Sequence, residues 1–285
     1  MTRRVALLGK PLRRRHSQVM HDAAFDAAGI DARYVLMELE PDAVEPAVEA
    51  AHGKDWLGLG VTAPYKRVVA GLVDEVEPDA ERIGAVNNVL RRDDGSLLGF
   101  NSDAPGFRAG VELAMGRPLR DTRIVVAGAG GAAHAVVFAC LTAGAADITI
   151  GSRNVGAAEA IVRRFRGLGI GAIRAVELGG SFFEEATGAA GLAVNATTVG
   201  MLDPGTTIDV ERLPRDATVF DLVYVPAETP LLAAARARGL RASNGSEMLI
   251  QQAAIAFERW TGVGGMADVM RSAVKPLLAD ATVRA

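Results

Sequence analysis

The sequence has very little of what disulfide-bonded, metal-binding and nucleic-acid-binding proteins require. It contains one cysteine, Cys140, so an internal disulfide is excluded. Its four histidines form no metal-ligand spacing with that cysteine, and we therefore expect no metal site. A net charge of -3 and one isolated basic run, Arg13 to Arg15, provide no footprint for nucleic acid.

Long hydrophobic runs are also absent. No apolar stretch approaches the roughly 20 residues that span a membrane, and no apolar signal segment follows Arg3 and Arg4. The composition is otherwise that of a globular protein, 49% hydrophobic and 23% charged, long enough for two domains. We therefore expect a cytoplasmic monomer or homodimer with a small-molecule partner, and with neither a membrane nor a nucleic-acid partner.

The most informative stretch is Val125 to Ala135, which reads VVAGAGGAAHA. Two β-branched residues run into a glycine-rich turn, and the small residues that follow are typical of a helix start. This order matches the G-x-G-x-x-G/A pattern, in which Gly128 permits the turn, Gly130 admits a pyrophosphate and Ala133 packs. The first N–H groups of the helix then face the anion.

The flanking residues support a dinucleotide site. The pattern predicts a strand at 123–127, a helix at 131–143 and a strand at 148–151, which together make one βαβ unit. After the second strand, Ser152 and Arg153 stand where a carboxylate would select the ribose hydroxyl of NAD. Because arginine offers a charged, planar fork for a 2′-phosphate, we predict NADP, with NAD possible and a merely solvated arginine as the alternative.

The chain before this unit alternates strands and helices without a second phosphate pattern. A β-hairpin follows, with strands around Val89 and Leu97, and Ser17 is the expected N-cap of the first helix. The other predicted elements are strands at 4–8, 34–39, 56–61, 192–194 and 219–223, and helices at 17–28, 43–52, 65–72, 106–114, 248–260 and 267–278.

Residues that could carry chemistry lie mostly outside the cofactor unit. Lys66 falls in the first turn of a helix that begins after Pro64, and Asp103 follows the hairpin. A lysine and a carboxylate at a domain junction could form a proton-transfer pair, although a helix lysine and a capping aspartate are common structural features. Asn195 and Thr197 follow an apolar strand, either as ligand-binding residues or as a plain βα turn.

Together these residues resemble the shikimate and quinate dehydrogenase family over nearly the whole chain, because its motifs occur here in order. The matching residues are Gly9, Pro11, Ser17 and His21; Val61, Thr62, Pro64 and Lys66; Ile83 to Asn87; Gly99, Asn101, Asp103 and Gly106; Gly128 to Ala133; Asn195 to Met201; Asp221, Tyr224, Pro226, Thr229 and Pro230; and Gly245, Met248, Leu249 and Gln252.

The resemblance implies an α/β protein of two domains. Residues 1–104 would form a substrate-binding and catalytic domain, on which helices within 241–285 pack back, and residues 105–240 a Rossmann-type NADP-binding domain. The implied reaction interconverts 3-dehydroshikimate and shikimate, a hydroxy acid, by hydride transfer in a cleft between the domains. It belongs to aromatic amino acid biosynthesis.

The resemblance also implies a role for each matching site residue. Lys66 and Asp103 would be the catalytic pair. The substrate-binding residues would be Ser17 and Tyr224 at the carboxylate and Thr62, Asn87 and Gln252 at the hydroxyls. The cofactor-binding residues would be Gly128, Gly130, Gly131, Ala132, Ala133, Ser152, Arg153, Asn195, Thr197, Met201, Gly245 and Met248.

Three departures from the family pattern affect the substrate and cofactor sites. Arg15 replaces a serine, and we expect its guanidinium to clamp the carboxylate from farther back, favouring a larger or shifted acid; the alternative is that it points into solvent. Gly60 replaces an asparagine, and Ala157 replaces a second basic residue. The alternatives are therefore a quinate or aminoshikimate dehydrogenase using NAD(H), or a dinucleotide-binding sensor without catalysis.

Overall fold

The structure, a computed structural model, describes residues 2–169 and 171–279. These residues form two compact units, the first from 2–102 with 250–277 and the second mainly from 103–249. Met1, Ile170 and residues 280–285, which the predicted domains include, lie outside the described residues. No helix in the described part of the chain combines the length and apolar character that a bilayer crossing requires.

Twelve strands occur in the described residues. They are β1 (Arg3–Gly9), β2 (Ala32–Glu38), β3 (Trp56–Val61), β4 (Glu75–Val76), β5 (Asn88–Arg91), β6 (Leu97–Phe100), β7 (Arg123–Ala127), β8 (Asp147–Ser152), β9 (Ala172–Glu177), β10 (Leu192–Asn195), β11 (Thr218–Asp221) and β12 (Arg241–Asn244).

Eleven α-helices occur in this described part of the chain. They are α1 (His16–Ala28), α2 (Val44–Ala50), α3 (Lys66–Val69), α4 (Pro78–Ile83), α5 (Asp103–Met115), α6 (Gly131–Thr142), α7 (Val155–Arg164), α8 (Ser181–Gly188), α9 (Pro230–Ala237), α10 (Ser246–Thr261) and α11 (Ala267–Ala279). Two short 3-10 helices span Pro41–Ala43 and Val210–Arg212.

The first unit is built on a mixed sheet in the order β2-β1-β3-β5-β6-β4. Strands β1, β2 and β3 are parallel, whereas β5 and β6 form an antiparallel hairpin, which confirms the predicted hairpin. Every residue of β3 is buried, as expected for a strand covered on both faces. Residues 250–277 of α10 and α11 belong to this unit, so the C-terminal helices return to it.

Two packed layers cover this sheet. One contains a cluster of buried aliphatic side chains, among them Leu8, Val48 and Leu59. The other is aromatic: Phe25 of α1 lies 5.1 Å from Phe257 of α10 between ring centroids. The indole Nε1 of Trp260, also on α10, donates to the carbonyl of Val89, 2.9 Å away. Helix α10 is therefore part of the first unit's core.

The second unit carries an all-parallel sheet in the order β12-β11-β10-β7-β8-β9. Renumbered from β7, this is the 3-2-1-4-5-6 order of a dinucleotide-binding fold, so the predicted Rossmann-type fold is confirmed. The strand order reverses between β7 and β10, where Ala127 pairs with Asn195 at the carboxyl ends. Ligands bind in such folds at this switch point.

Two local predictions for the first unit were wrong, and two elements were not predicted. Helix α1 begins at His16, so Ser17 lies inside its first turn and Arg15 takes the N-cap position without a side-chain cap. Helix α3 ends at Val69 instead of Leu72, because Gly71 and Leu72 donate into a tight turn. The elements β4 and α4 were not predicted; Pro78 at the first position starts α4.

Candidate active site

The glycine-rich turn after β7 has the geometry of a phosphate cradle. Gly128 has a φ of +108°, and a Cβ there would lie 2.7 Å from Cγ2 of Thr197, so only glycine fits. Gly130 is the extended N-cap of α6, and a Cβ on Gly130 or Gly131 would meet nothing within 4 Å. The backbone is therefore open to a ligand at the first turn of α6, where free N–H groups favour an anion.

A cavity of 840 Å³ lies beside this turn, within the second unit. It is lined by Gly128, Ala129, Gly130, Gly131, Ala132, Ser152, Arg153, Asn154, Ala157, Leu178, Ala196, Thr197, Thr198, Met201, Leu222 and Val223. Eight of the predicted cofactor residues are among them: Gly128, Gly130, Gly131, Ala132, Ser152, Arg153, Thr197 and Met201.

One end of the cavity is formed by the turn after β8. The backbone N–H of Asn154 donates to Oγ of Ser152 at 3.1 Å, and Oδ1 of Asn154 accepts from the N–H of Ala157 at 3.2 Å, capping α7. These bonds hold the turn and leave Arg153 exposed. Arg153 is the only charged side chain among the described residues that line the cavity. It therefore supplies a cation where a 2′-phosphate would need one.

A buried hydrogen-bond network that includes Asn195 supports the residues beside the glycine-rich turn. Oδ1 of Asn195 accepts from both N–H and Oγ1 of Thr197, at 3.1 and 2.7 Å, and its Nδ2 donates to Oδ1 of Asp221 at 2.8 Å. Asp221 also accepts from Thr229 at 2.7 Å and from the N–H of Val223 at 3.0 Å. Burial raises the pKa of Asp221, and these hydrogen bonds oppose the rise. Asn195 is thus placed beneath Thr197.

The remaining predicted cofactor residues lie in close packing. Ala133 is fully buried in α6. A Cβ on Gly245 would collide with the carbonyl oxygen of Leu222, a residue that lines the cavity. A Cβ on Gly110 would lie 2.9 Å from the backbone nitrogen of Met248, so α5 and α10 approach closely there. Gly245 and Met248 are not among the lining residues described.

In the first unit, backbone hydrogen bonds connect the segments that carry Thr62, Lys66 and Asn87 near the carboxyl ends of β1 and β3. The N–H of Thr62 donates to the carbonyl of Leu8 at 2.8 Å, and the N–H of Val61 donates to that of Asn87 at 2.8 Å. Lys66 is half-buried at the start of α3, and its carbonyl accepts from the N–H of Val86 at 2.9 Å. Thr62, Lys66 and Asn87 are therefore neighbours through their backbones.

A buried polar network adds two residues that the sequence patterns did not identify, Asn88 and Ser102. Asn87 and Ser102 exchange hydrogen bonds, with the N–H of Ser102 donating to Oδ1 of Asn87 at 2.8 Å and Nδ2 of Asn87 to Oγ of Ser102 at 3.2 Å. Oγ of Ser102 donates to Oε1 of Gln252 at 3.3 Å. The doubled asparagine at the start of β5, between hydrophobic residues, was the available sequence signal.

The other predicted side chains lie at the start of α1, at the start of α5 and in the loop after β11. Arg15 is exposed, and its Nε donates to Oε1 of Gln18 at 2.9 Å; Ser17 is half-buried in the first turn of α1. Asp103 is half-buried as the first residue of α5 and follows Ser102 directly in the chain, although it is grouped with the second unit. Tyr224 is half-buried in the second unit, three residues after Asp221.

The glycine at position 60 has a structural reason. A Cβ on Gly60 would collide with the hydroxyl of Tyr34, whose ring stacks on His21 at 4.5 Å between centroids. Both residues are buried, and burial raises the pKa of Tyr34 and lowers that of His21 to about 3. Tyr34 therefore excludes a side chain at this position of β3.

Comparison with known proteins gives whole-chain matches. The family model described as Shikimate dehydrogenase substrate binding domain matches residues 7–89, and the one described as Shikimate 5'-dehydrogenase C-terminal domain matches residues 245–275. The chain is 40% identical over 274 residues to the shikimate dehydrogenase (NADP(+)) of Methanopyrus kandleri, covering 95% of this chain and 94% of the relative.

Solved structures are similar over the same length. Shikimate 5-dehydrogenase from Thermus thermophilus in complex with NADP(H) and shikimate is 36% identical, with a TM-score of 0.85, covering 96% of this chain and 99% of that one. Quinate dehydrogenase from Corynebacterium glutamicum in complex with NAD is 33% identical, with a TM-score of 0.89 and coverage of 96% and 99%.

Proposed function

Because the chain belongs to the shikimate dehydrogenase family, we propose that it catalyses the reversible NADP-linked oxidation of shikimate to 3-dehydroshikimate in aromatic amino acid biosynthesis. The observation that carries this proposal is the polar cluster of the first unit, in which Thr62, Lys66, Asn87 and Gln252 belong to one connected group of loops and side chains. The identity to NADP-dependent shikimate dehydrogenases favours this reaction over quinate oxidation with NAD.

The cavity of the second unit fits NADP. The open backbone at Gly130 and Gly131 suits the pyrophosphate at the N-terminus of α6, and exposed Arg153 suits the 2′-phosphate. Thr197 and Met201 line the same cavity. When bound, NADP would supply the hydride acceptor for oxidation and NADPH the hydride donor for reduction. The second unit thus provides the cofactor cavity, and the first unit provides most of the predicted substrate residues.

The proton is handled by Lys66 and Asp103. Hydride can leave the carbinol carbon only if the hydroxyl proton leaves as well, so oxidation needs a base at that oxygen. Nζ of Lys66 takes this proton in oxidation and returns it to the ketone oxygen in reduction. The Asp103 carboxylate, which can only accept hydrogen bonds when ionised, orients the hydroxyl.

The remaining predicted residues hold the acid and its ring. Ser17 and Tyr224 donate hydroxyl hydrogen bonds to the substrate carboxylate, and Arg15 reaches it with a guanidinium. Thr62, Asn87 and Gln252 bind the ring hydroxyls. Two of these side chains, Asn87 and Gln252, are already linked through Ser102, which supports a preformed hydroxyl site.

The activity is tested by oxidising shikimate and quinate with each of NADP and NAD in separate assays. We expect efficient turnover of shikimate with NADP and weaker turnover in the other combinations. Binding of a dinucleotide with no turnover of any acid would refute the proposal and favour the alternative that the protein is a dinucleotide-binding sensor.

We also propose that the protein is a cytoplasmic monomer or homodimer. Its single cysteine, Cys140, is buried, and burial raises the pKa of the thiol. A fold that uses no disulfide is typical of a reducing compartment. Size-exclusion chromatography with light scattering measures the oligomeric state directly, and a trimer or larger assembly would contradict this part of the proposal.

A further inference from the structure

We propose that Asp221 is a positioning residue for the cofactor. Through the Asn195 amide it fixes the loop 196–201, part of which lines the cavity of the second unit. This loop would receive the nicotinamide half of the dinucleotide, which NADP and NAD share. The inference rests on the proposed function, because it takes this cavity as the cofactor site.

The strand order of the second unit places this loop relative to Arg153. Strands β8 and β10 flank β7 on opposite sides, and the strand order reverses between β7 and β10. Each half of a dinucleotide lies on its own side of such a switch point. Arg153 follows β8 and supplies the cation for the 2′-phosphate of the adenosine half. The loop after β10 therefore falls on the side of the nicotinamide half.

The direction of the network is set by a backbone group beside Asp221. The N–H of Val223 can only donate, and it donates to Oδ1 of Asp221 at 3.0 Å. That oxygen is therefore an acceptor whether or not the carboxyl group carries a proton. The Asn195 amide meets it with its NH₂ group, and Nδ2 lies 2.8 Å from Oδ1. The other carboxyl oxygen accepts from Oγ1 of Thr229 at 2.7 Å, which holds the group in place.

The loop surrounds the other side of the same amide. Oδ1 of Asn195 accepts from the N–H and Oγ1 of Thr197 at 3.1 and 2.7 Å, and Nδ2 also donates to the carbonyl of Val199 at 3.1 Å. A reversed amide would place its NH₂ against the N–H of Thr197 and its oxygen against the carbonyl of Val199. Because Asn195 is buried, water could not relieve either mismatch. Asn195 is thus held in one orientation, and the loop is held with it.

Asn195 acts through the loop, because its own side chain is buried and is not among the described residues that line the cavity, whereas Thr197 is. The loop also lies tightly against the glycine-rich turn. A Cβ on Gly128 would lie 2.7 Å from Cγ2 of Thr197 and 3.0 Å from the backbone of Ala196. A shift of the loop therefore changes this part of the cavity, while Arg153 is carried by a separate turn with its own hydrogen bonds.

Four substitutions test the network, with adenosine 2′,5′-bisphosphate as a probe of the adenosine half alone. Asp221→Ala removes the acceptor that orients Asn195. Asp221→Asn is the rescue variant, because its amide oxygen can still accept from the N–H of Val223. Asn195→Leu keeps a side chain of similar size and removes the amide. Thr187→Val, which removes a buried hydroxyl from α8 in the same unit, is the matched control.

The measured quantities are the Kd values for NADP, NAD and the bisphosphate, obtained by isothermal titration calorimetry. Asp221→Ala and Asn195→Leu should each raise the Kd for NADP and for NAD about tenfold, the scale of a buried polar group left unpaired. The Kd for the bisphosphate should change less than about twofold, since the adenosine half does not contact the loop. Asp221→Asn should restore all three Kd values to within about twofold of the wild type, and Thr187→Val should leave them unchanged.

Outcomes for the inference and for the proposed function are distinguishable, because calorimetry needs no turnover. A wild type that binds no NADP refutes both. A wild type that binds NADP but oxidises no acid refutes the proposed reaction alone, and the Kd values still decide the inference.

Two results would overturn the inference itself. One is an equal loss of affinity for NADP and for the bisphosphate in Asp221→Ala, which would indicate a general structural effect. The other is an unchanged Kd for NADP in an Asp221→Ala protein that circular dichroism shows to be folded. If Asp221→Ala does not fold, Asn195→Leu decides the same comparison.

Discussion

Replacing Arg153 by alanine should weaken NADP without weakening NAD. Arg153 is the only charged side chain among the described residues that line the cofactor cavity, so the substitution leaves that lining neutral. A charge-assisted hydrogen bond contributes about 1.5–3 kcal/mol. Since Arg153 is exposed, solvent screening places its contribution at the lower end of that range, which corresponds to roughly a tenfold increase in KM for NADP.

The assay is steady-state oxidation of shikimate with varied NADP and, separately, with varied NAD. Arg163→Ala is the matched control, because Arg163 lies on α7, is exposed, pairs with Glu159 at 3.5 Å and does not line the cavity. The control removes the same charge from the same unit and should change neither KM. Added salt should raise the KM for NADP in the wild type more than in Arg153→Ala, because screening acts on the exposed charge.

Two results would refute this reasoning. Equal increases of KM for NADP and NAD in Arg153→Ala would mean that the arginine does not distinguish the 2′-phosphate. An increase of similar size in Arg163→Ala would mean that the effect comes from the net charge of the unit. Arg153→Lys should fall between wild type and alanine, since lysine keeps the charge and lacks the planar fork.

The remaining predictions concern the first unit. Lys66→Ala should lower kcat at least roughly a hundredfold in a folded protein, and unchanged turnover would remove Lys66 from the mechanism. Arg15→Ser should raise kcat/KM for shikimate through a lower KM, because a guanidinium that clamps the carboxylate from farther back suits a larger or shifted acid and the shorter serine hydroxyl suits shikimate; no change would make Arg15 a surface residue. His21→Phe should reduce the loss of stability between pH 7 and 5 in urea titrations. Burial lowers the pKa of His21 to about 3, so below pH ~6.5 the unfolded state binds a proton that the folded state does not. The free energy of unfolding of the wild type therefore falls by up to about 1.4 kcal/mol per pH unit. An equal loss in the variant would contradict this.

Local patterns were sufficient for the glycine-rich turn of the cofactor unit and for the strand and helix on either side of it. Strand β7 was predicted at 123–127 and lies at Arg123–Ala127, and α6 was predicted at 131–143 and ends at Thr142. Both elements are specified by neighbouring residues, a β-branched run and a turn that only glycine can adopt at Gly128. The strand order then follows from repeated βα units, which connect parallel strands with one hand.

Elements that depend on distant partners were not predicted. Strand β4 has two residues, and what makes it a strand is its pairing with Leu98 and Gly99 of β6. The N-cap of α1 was placed too late in the chain, because the N–H of Val19 donates to the carbonyl of Arg15 and draws His16 into the helix. No side-chain cap marks that position, so capping preferences had nothing to detect.

In the candidate site, too, single motif residues were predicted and the contacts between distant residues were not. The motif residues Lys66, Asn87 and Gln252 were predicted by resemblance, and their roles remain predictions. The bond from Ser102 to Gln252 joins residues 150 positions apart, and no spacing rule connects them. The collision that keeps Gly60 without a side chain depends likewise on Tyr34, which belongs to another strand. Such relations exist only after the chain has folded.

The same hydrogen bond between Ser102 and Gln252 has a consequence for how the chain folds. The residues that separate these two positions belong almost entirely to the second unit, so that unit is an insertion whose two ends meet in the first. Closing a flexible loop of that length costs about 4 kcal/mol in chain entropy beyond a constant term. If the second unit folds first, its two ends are already held together, and the entropy of loop closure no longer opposes the packing of α10. If the second unit folds later, that entropy still opposes the packing. A substitution that destabilises the second unit should therefore also weaken the hydrogen bond that holds Gln252.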